Sequence, residues 1–257
     1  MQTNTVKAAL KQGRTVIGTM MVGTKSPDVV HVLRSAGFDF LFVDTEHSPY
    51  NPETVATIIR EARAAGIVPL IRVPNAEYHL MSKPLDAGAM GLMIPRVETT
   101  EQVRCIVQST KYPPWGIRGC AVRGPMTDYE RIAVEDYIQH ANQDILIITQ
   151  IESKKAIDHI DDLLSIQGVD VALIGPNDLS LSLGVPGELD HPLMVDYIEQ
   201  LIAACRRHGV APGIHLGNMD LLLKWTRKGM RMITYSTNVG LLGQGAAQGV
   251  KMLKEAL

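Results

Sequence analysis

The chain has 257 residues, and 25 Lys and Arg against 27 Asp and Glu leave a net charge of −2 at pH 7. No basic surface therefore marks a nucleic acid or an acidic membrane as a partner. Hydrophobic residues make up 46% and charged residues 20%, with 22 Gly and 14 Pro scattered along the chain, which excludes disordered and collagen-like classes.

Short β-branched or aliphatic runs alternate with amphipathic helical patterns in chain order. Val16 to Val22 predicts a strand and Pro27 to Ser35 a helix; Phe40 to Val43 and Pro52 to Ala64 repeat the unit. Val68 to Val73 with Tyr78 to Asp86, and Leu92 to Pro95 with Thr100 to Ser109, follow. Next come Ile145 to Ile151 with Ala156 to Ser165, and Val169 to Ile174 with Val195 to Arg207. Ala211 to Leu216 with Met219 to Lys228, then Met230 to Tyr235 with Leu241 to Glu255, complete the series. Strand-then-helix alternation implies parallel strands, and nearly unbroken apolar runs imply burial on both faces. The expected fold is an α/β (β/α)8 TIM barrel forming a single domain over residues 1–257. An open nucleotide-binding sheet would need a G-x-G-x-x-G turn after the first strand, where Gly23, Thr24, Lys25 and Ser26 stand instead.

Two stretches exceed the unit, Lys111 to Gln143 and Ser180 to Pro192. Connections that long read as lids, binding loops or interface elements. No apolar run reaches the ~18 residues of a spanning helix, and Met1 to Leu10 lacks the apolar centre of a secretory signal, so a cytoplasmic protein without membrane attachment is expected. Cys105, Cys120 and Cys205 are far apart and suggest neither disulfides nor a thiolate zinc site.

Barrel enzymes work at the carboxyl ends of their strands. There the second run ends in Asp44-Thr45-Glu46-His47, the third carries Arg72, the fifth Gln150 and Glu152, and the sixth leads into Gly175-Pro176-Asn177-Asp178. Glu152 and Asp178 are hard oxygen donors suited to Mg²⁺ or Mn²⁺ completed by water and a substrate oxygen. Arg72 supplies positive charge for an oxyanion on a carbonyl substrate. His47 is the natural base, with Asp44 three residues earlier to orient its ring. His215 lies inside the seventh run, where alternation leaves it facing either the barrel mouth or a helix. Arg96 and Arg123 are further candidates to meet a substrate carboxylate or phosphate.

Together Asp44-Thr45-Glu46-His47, Leu70-Ile71-Arg72-Val73-Pro74, Tyr112-Pro113-Pro114-Trp115-Gly116-Ile117-Arg118-Gly119, Gln150-Ile151-Glu152 and Ile174-Gly175-Pro176-Asn177-Asp178-Leu179-Ser180 resemble the class II pyruvate aldolases of the phosphoenolpyruvate/pyruvate barrel superfamily. That group includes 4-hydroxy-2-oxoheptanedioate and 2-dehydro-3-deoxyglucarate aldolases. The resemblance implies a divalent metal (Mg²⁺, Mn²⁺ or Co²⁺) on Glu152 and Asp178, Arg72 at the enolate oxygen, and a proton-handling pair of His47 and Asp44. Gln150, Gly175, Pro176 and the amides around Asn177 and Asp178 would contact a 2-oxo acid, and the chain would assemble as a homo-oligomer, a trimer or a hexamer with exchanged C-terminal helices. The sequence departs from the family pattern at Thr45, where Gly is usual, at Cys120 to Pro125, and at His215, where an apolar residue commonly meets the pyruvate methyl.

The expected reaction is metal-dependent, reversible cleavage of a 4-hydroxy-2-oxo acid to pyruvate, or a related 2-oxo acid, and an aldehyde. A Schiff-base route needs a desolvated Lys, yet Lys154 and Lys155 lie in a polar stretch and Lys25 in a loop. The alternatives are an acyl-CoA thioester lyase of the malyl- or citramalyl-CoA type, whose resemblance lacks the His of the E-H pair, and a non-catalytic keto-acid-binding protein on the same fold.

Overall fold

The computed structural model describes all residues, Met1–Leu257. Its strands are β1 (Val16–Met21), β2 (Phe40–Asp44), β3 (Val68–Arg72), β4 (Gly91–Ile94), β5 (Leu146–Ile151), β6 (Val171–Ile174), β7 (Ala211–Leu216) and β8 (Met232–Thr237). They pair in parallel in chain order, and β8 returns to β1 to close an eight-stranded barrel, as the alternating pattern predicts. The helices are α1 (Thr5–Lys11), α2 (Asp28–Ser35), α3 (Pro52–Ala65), α4 (Tyr78–Asp86), α5 (Thr100–Thr110) and α6 (Val134–Asp144), then α7 (Lys154–Asp158), α8 (Ile160–Leu164), α9 (Pro176–Ser182), α10 (Pro192–His208), α11 (Met219–Lys228) and α12 (Asn238–Glu255). None of them is long and apolar enough to cross a membrane.

Side chains alternate across each strand, and both faces are buried, so the core divides in two. One parity fills the barrel: Phe40 and Phe42, Val68 and Leu70, Leu146 and Ile148, Val171 and Leu173. The other parity, including Leu41, Val43, Ile71, Ile147, Ala172 and Ile174, packs outward against the helices. At β1 no side chain larger than hydrogen fits beside β2, because a Cβ at Gly18 would enter the Phe40 ring.

Three helices lie outside the predicted set. Helix α1 is too short to show a period, but Asn4 caps it by accepting the Lys7 amide at 2.9 Å, and Val6, Ala9 and Leu10 join the inner core. It plugs the amino-terminal end of the barrel. Helix α6 occupies part of the long stretch 111–143 and buries only Tyr137 and Ala141, so its apolar face is thin. Helix α9 starts directly after β6 with Pro176 in its first turn, where a missing N–H is harmless. The predicted helix Ala156 to Ser165 is divided at His159, whose backbone (φ −112°, ψ 20°) ends α7 and opens α8. Helix α12 begins before the predicted Leu241, because the Thr237 hydroxyl accepts the Gly240 amide at 3.0 Å. None of its residues is buried.

Candidate active site

The parity that places Phe40 and Phe42 inside the barrel also turns Asp44 inward at the end of β2. The same count carries Arg72 beyond Val68 and Leu70, Gln150 beyond Leu146 and Ile148, Gly175 beyond Val171 and Leu173, and His215 beyond Ala211 and Gly213. Polar residues thus form the last inward layer above an apolar floor, at the carboxyl ends of the strands.

Parallel pairing sets Asp44 beside Arg72. The guanidinium grips both carboxylate oxygens, Nε to Oδ1 at 2.8 Å and Nη2 to Oδ2 at 2.7 Å, and both side chains are buried. Burial draws Asp44 toward its neutral form, but the Arg72 hydrogen bonds and charge outweigh it and hold the carboxyl below the usual carboxylate range. Burial likewise opposes the Arg72 charge, which Asp44 more than restores. Asp44 Oδ1 also accepts the backbone amides of Glu46 (3.0 Å) and His47 (3.3 Å). Sequence spacing had Asp44 orienting the His47 ring; in the structure it holds the His47 backbone and spends its oxygens on Arg72. The imidazole is 64% exposed at the mouth, with Nε2 3.8 Å from Glu46 Oε2.

Glu46, given no role by sequence reasoning, stands at the centre of this polar layer. Its buried carboxylate lies 3.5 Å from Arg72 Nε and 3.3 Å from Arg96 Nη2. The available signal was its parity: Asp44 and Glu46 are two residues apart and turn to the same side. Arg96 has φ 53°, donates its backbone N–H to Glu152 Oε1 at 2.7 Å, and sends its guanidinium to Pro74 O at 2.8 Å. Arg123 is exposed in the stretch before the 3-10 turn Pro125–Thr127.

Glu152 is buried at the end of β5, where Gln150 Nε2 donates to its Oε2. Burial raises its carboxyl above the ordinary range; the Arg96 amide and Gln150 oppose this, and the Asp178 and Glu46 charges add to it. Gly175 makes the close approach possible, since a Cβ there would run into the Glu152 carboxylate and the Gln150 amide. No three His, Cys, Asp or Glu side chains converge as a ready cage for a metal. The donor set still fits a divalent ion of the Mg²⁺ class, which takes one or two carboxylates and keeps water and substrate oxygens for the rest. Glu152 and exposed Asp178 provide two such carboxylates, and the buried Gln150 Oε1 beside them has no partner.

One cavity of about 150 Å³ is lined by Arg72, Gln150, Gly175, Asn177, Asp178 and His215, with Pro176 also in its wall. That is below the roughly 300–1,000 Å³ typical for drug-sized ligands, so the space suits a compact acid. His215 is half-buried and Nε2 meets Ser236 O at 3.0 Å. A carbonyl only accepts, so Nε2 carries the proton; burial keeps the ring neutral, and Nδ1 is the free acceptor. Leu189, from the long stretch after β6, closes one side of the cavity. The other long stretch goes elsewhere: Arg118 Nη2 bonds Asp86 at 2.7 Å and the Gly119 amide bonds Tyr78 at 2.8 Å, along the outside of α4.

Residues 19–243 match the HpcH/HpaI aldolase/citrate lyase family. The chain is 35% identical over 244 residues to a 4-hydroxy-2-oxo-heptane-1,7-dioate aldolase of Escherichia coli, covering 95% of this chain and 92% of that one. Among solved structures it is similar to an HpcH/HpaI aldolase from Desulfitobacterium hafniense DCB-2, at 35% identity and TM-score 0.93, covering 97% and 96% of the two chains. It is also similar to an HpcH/HpaI aldolase/citrate lyase family protein from Burkholderia cenocepacia J2315, at 32% identity and TM-score 0.91, covering 98% and 100%.

Proposed function

The chain belongs to the HpcH/HpaI aldolase/citrate lyase family, and we propose that it is a carbon–carbon lyase cleaving a 4-hydroxy-2-oxo acid to pyruvate, or a related 2-oxo acid, and an aldehyde. The observation that carries this reading is the single small cavity that gathers Arg72, Gln150, Asp178 and His215, with Glu152 alongside. A small 2-oxo acid fits this space better than the bulk of an acyl-CoA thioester. Glu152 and Asp178 would hold Mg²⁺, Mn²⁺ or Co²⁺, which when bound supplies positive charge to polarise the C2 ketone.

Arg72, already fixed by Asp44, is placed to meet negative charge growing on the C2 oxygen, and needs no reorganisation to do so. Gln150, Gly175, Pro176, Asn177 and Asp178 position the carboxylate end of the acid. His47, exposed at the mouth, takes the proton of the C4 hydroxyl directly or through one water. The C3–C4 bond then breaks, its electrons forming the C2–C3 enolate as the C4 carbonyl of the aldehyde forms. Return of a proton to C3 completes pyruvate. Asp44 contributes by fixing the backbone from which His47 projects. His215 presents Nδ1 as an acceptor where an apolar side chain would leave none, which favours a donor acid carrying a polar group on C3.

The test is pyruvate release from a panel of 4-hydroxy-2-oxo acids, with Mn²⁺ supplied. His47→Ala is expected to lower kcat by about 10²–10⁴, the usual contribution of a general base, with circular dichroism unchanged. Undiminished release from the variant would remove His47 from the mechanism; no release by the unmodified protein on any member of the panel would refute the reaction.

Helix α12 supports assembly into a homo-oligomer, a trimer or a hexamer. Val239, Leu242, Val250, Met252 and Leu253 are each at least half exposed. The chain exposes 12142 Å², against roughly 11,000 Å² for a compact monomer of this length. An apolar row of this kind needs a covering surface, and a second copy of the chain supplies one. The double variant Leu242→Glu, Leu253→Glu is expected to sediment as a monomer; an unchanged sedimentation coefficient would show that α12 is not the contact.

A further inference from the structure

A second cavity, of about 920 Å³, opens at the amino-terminal end of the barrel, on the side away from the catalytic layer. Its floor holds two buried ammonium groups, from Lys7 on the α1 plug and from Lys111 just after α5. Lys7 Nζ donates to Ile145 O and to Asp170 Oδ2, both at 2.8 Å. Lys111 Nζ donates to Asn142 O at 2.6 Å and to the same Ile145 carbonyl at 3.2 Å. An ammonium has three N–H donors, so each lysine keeps one unused.

Charge on this floor is not balanced. Asp170 Oδ2 already accepts both Lys7 and the Ile147 amide at 2.9 Å, and Lys111 has no carboxylate in contact. Burial and the nearby Lys7 charge pull the Lys111 ammonium down to about 7. Lys11, exposed on α1, adds a third cation at the rim, where exposed Glu135 is the opposing acid. A wall beside the floor is apolar and flat: Pro113, Pro114 and Trp115, the last 66% exposed. Gly116 is what allows this wall to turn back onto α5, because a Cβ there would collide with the carbonyls of Gln108 and Lys111. An anionic head on the ammonium floor and a planar body on the wall is the ligand shape these two surfaces share. None of these residues takes part in the lyase chemistry.

We propose that this cavity is a binding site for a small aromatic carboxylate, whose carboxylate accepts the free N–H groups of Lys111 and Lys7 while its ring lies against Trp115 and Pro114. Buried ammonium donors give the head its orientation, and the loss of exposed indole and proline surface adds to the affinity.

The chain has two tryptophans; Trp225 is fully buried, whereas Trp115 is 66% exposed and lines this cavity, so the part of the intrinsic fluorescence that Trp115 contributes reports its occupancy. Benzoate titrated into the intact protein at about pH 6, where lysine charge is favoured, is expected to change the emission saturably. The change is expected to vanish in Trp115→Phe. Affinity is expected to fall about tenfold in Lys111→Met, as for loss of one charge-assisted hydrogen bond. Lys11→Glu, at an exposed position that holds no carbonyl, is expected to weaken binding severalfold and guards against a folding defect in the Lys111 variant. A response to benzoate no more saturable than that to neutral benzyl alcohol would overturn the proposal. So would inorganic phosphate displacing benzoate with equal affinity, which would make the floor a bare anion hole.

Discussion

Arg72→Met is expected to lower kcat/KM for pyruvate release by about 10²–10³, the usual effect of removing one donor to a developing oxyanion. The same variant is expected to lose about 3–5 kcal/mol of stability, because Asp44 is left charged and buried without its partner. The two losses have different origins and can be separated. Adding Asp44→Asn removes the stranded charge, so the double variant should regain most of the urea midpoint while pyruvate release stays low. The pH dependence gives a second check with a definite sign. In the unmodified protein Asp44 sits below its ordinary value, so its stabilisation is present above the unfolded pKa and lost as pH falls through the folded one. In Arg72→Met burial is opposed only by the Glu46 and His47 amides, so the folded pKa rises and the penalty fades as Asp44 protonates. The stability gap between the two proteins should therefore narrow as pH is lowered toward about 4. A gap that is constant with pH would mean that the Arg72 side chain stabilises by packing and not by its pairing with Asp44.

Glu152→Gln is expected to abolish pyruvate release while leaving the protein at least as stable. Shape is conserved, and the Arg96 amide can still donate to the new side-chain carbonyl. Gln150 can turn its unpartnered Oε1 toward the new NH₂, exchanging one hydrogen bond for another. What is lost is a buried negative charge that burial itself disfavours and that Asp178 and Glu46 repel. Removing it relieves folding and removes one of the two carboxylates available to a divalent ion. Mn²⁺ binding followed by electron paramagnetic resonance should weaken at least about 100-fold, and Tm should hold or rise. A variant that binds Mn²⁺ as tightly as the parent would take Glu152 out of the metal set.

The barrel was readable because eight runs carry apolar residues on both parities, a pattern that only strands buried on both faces need. The inward polar layer was readable in type and partly in direction. Asp44, Arg72 and Gln150 each extend an apolar run by two, so they inherit its inward face. The direction of His215 is open in the sequence because Ala211 and Gly213 before it are small and mark neither face; pairing with β6 and β8 decides it. The expected contact between Asp44 and the His47 ring rested on spacing and on family resemblance, and neither shows that a neighbouring strand brings Arg72 to the same carboxylate. Glu46 escaped for the opposite reason, since its place depends on Arg72 and Arg96 from two other strand ends. The stretch 111–143 could be recognised as long but not located, because its anchors, Asp86 and Tyr78, are far away in the chain.

The packed floor of the barrel has a consequence for traffic. With Phe40, Leu70, Ile148 and Leu173 filling the barrel below the polar layer, and Val6, Ala9 and Leu10 beneath them, nothing reaches the site through the barrel from below. In the proposed mechanism the keto acid occupies the inner end, beside Arg72 and Gln150, whereas His47 stands at the mouth, where the aldehyde would form. The aldehyde would then depart before the pyruvate behind it, and in the synthetic direction the keto acid would enter first. Such a queue follows from how high the barrel is filled.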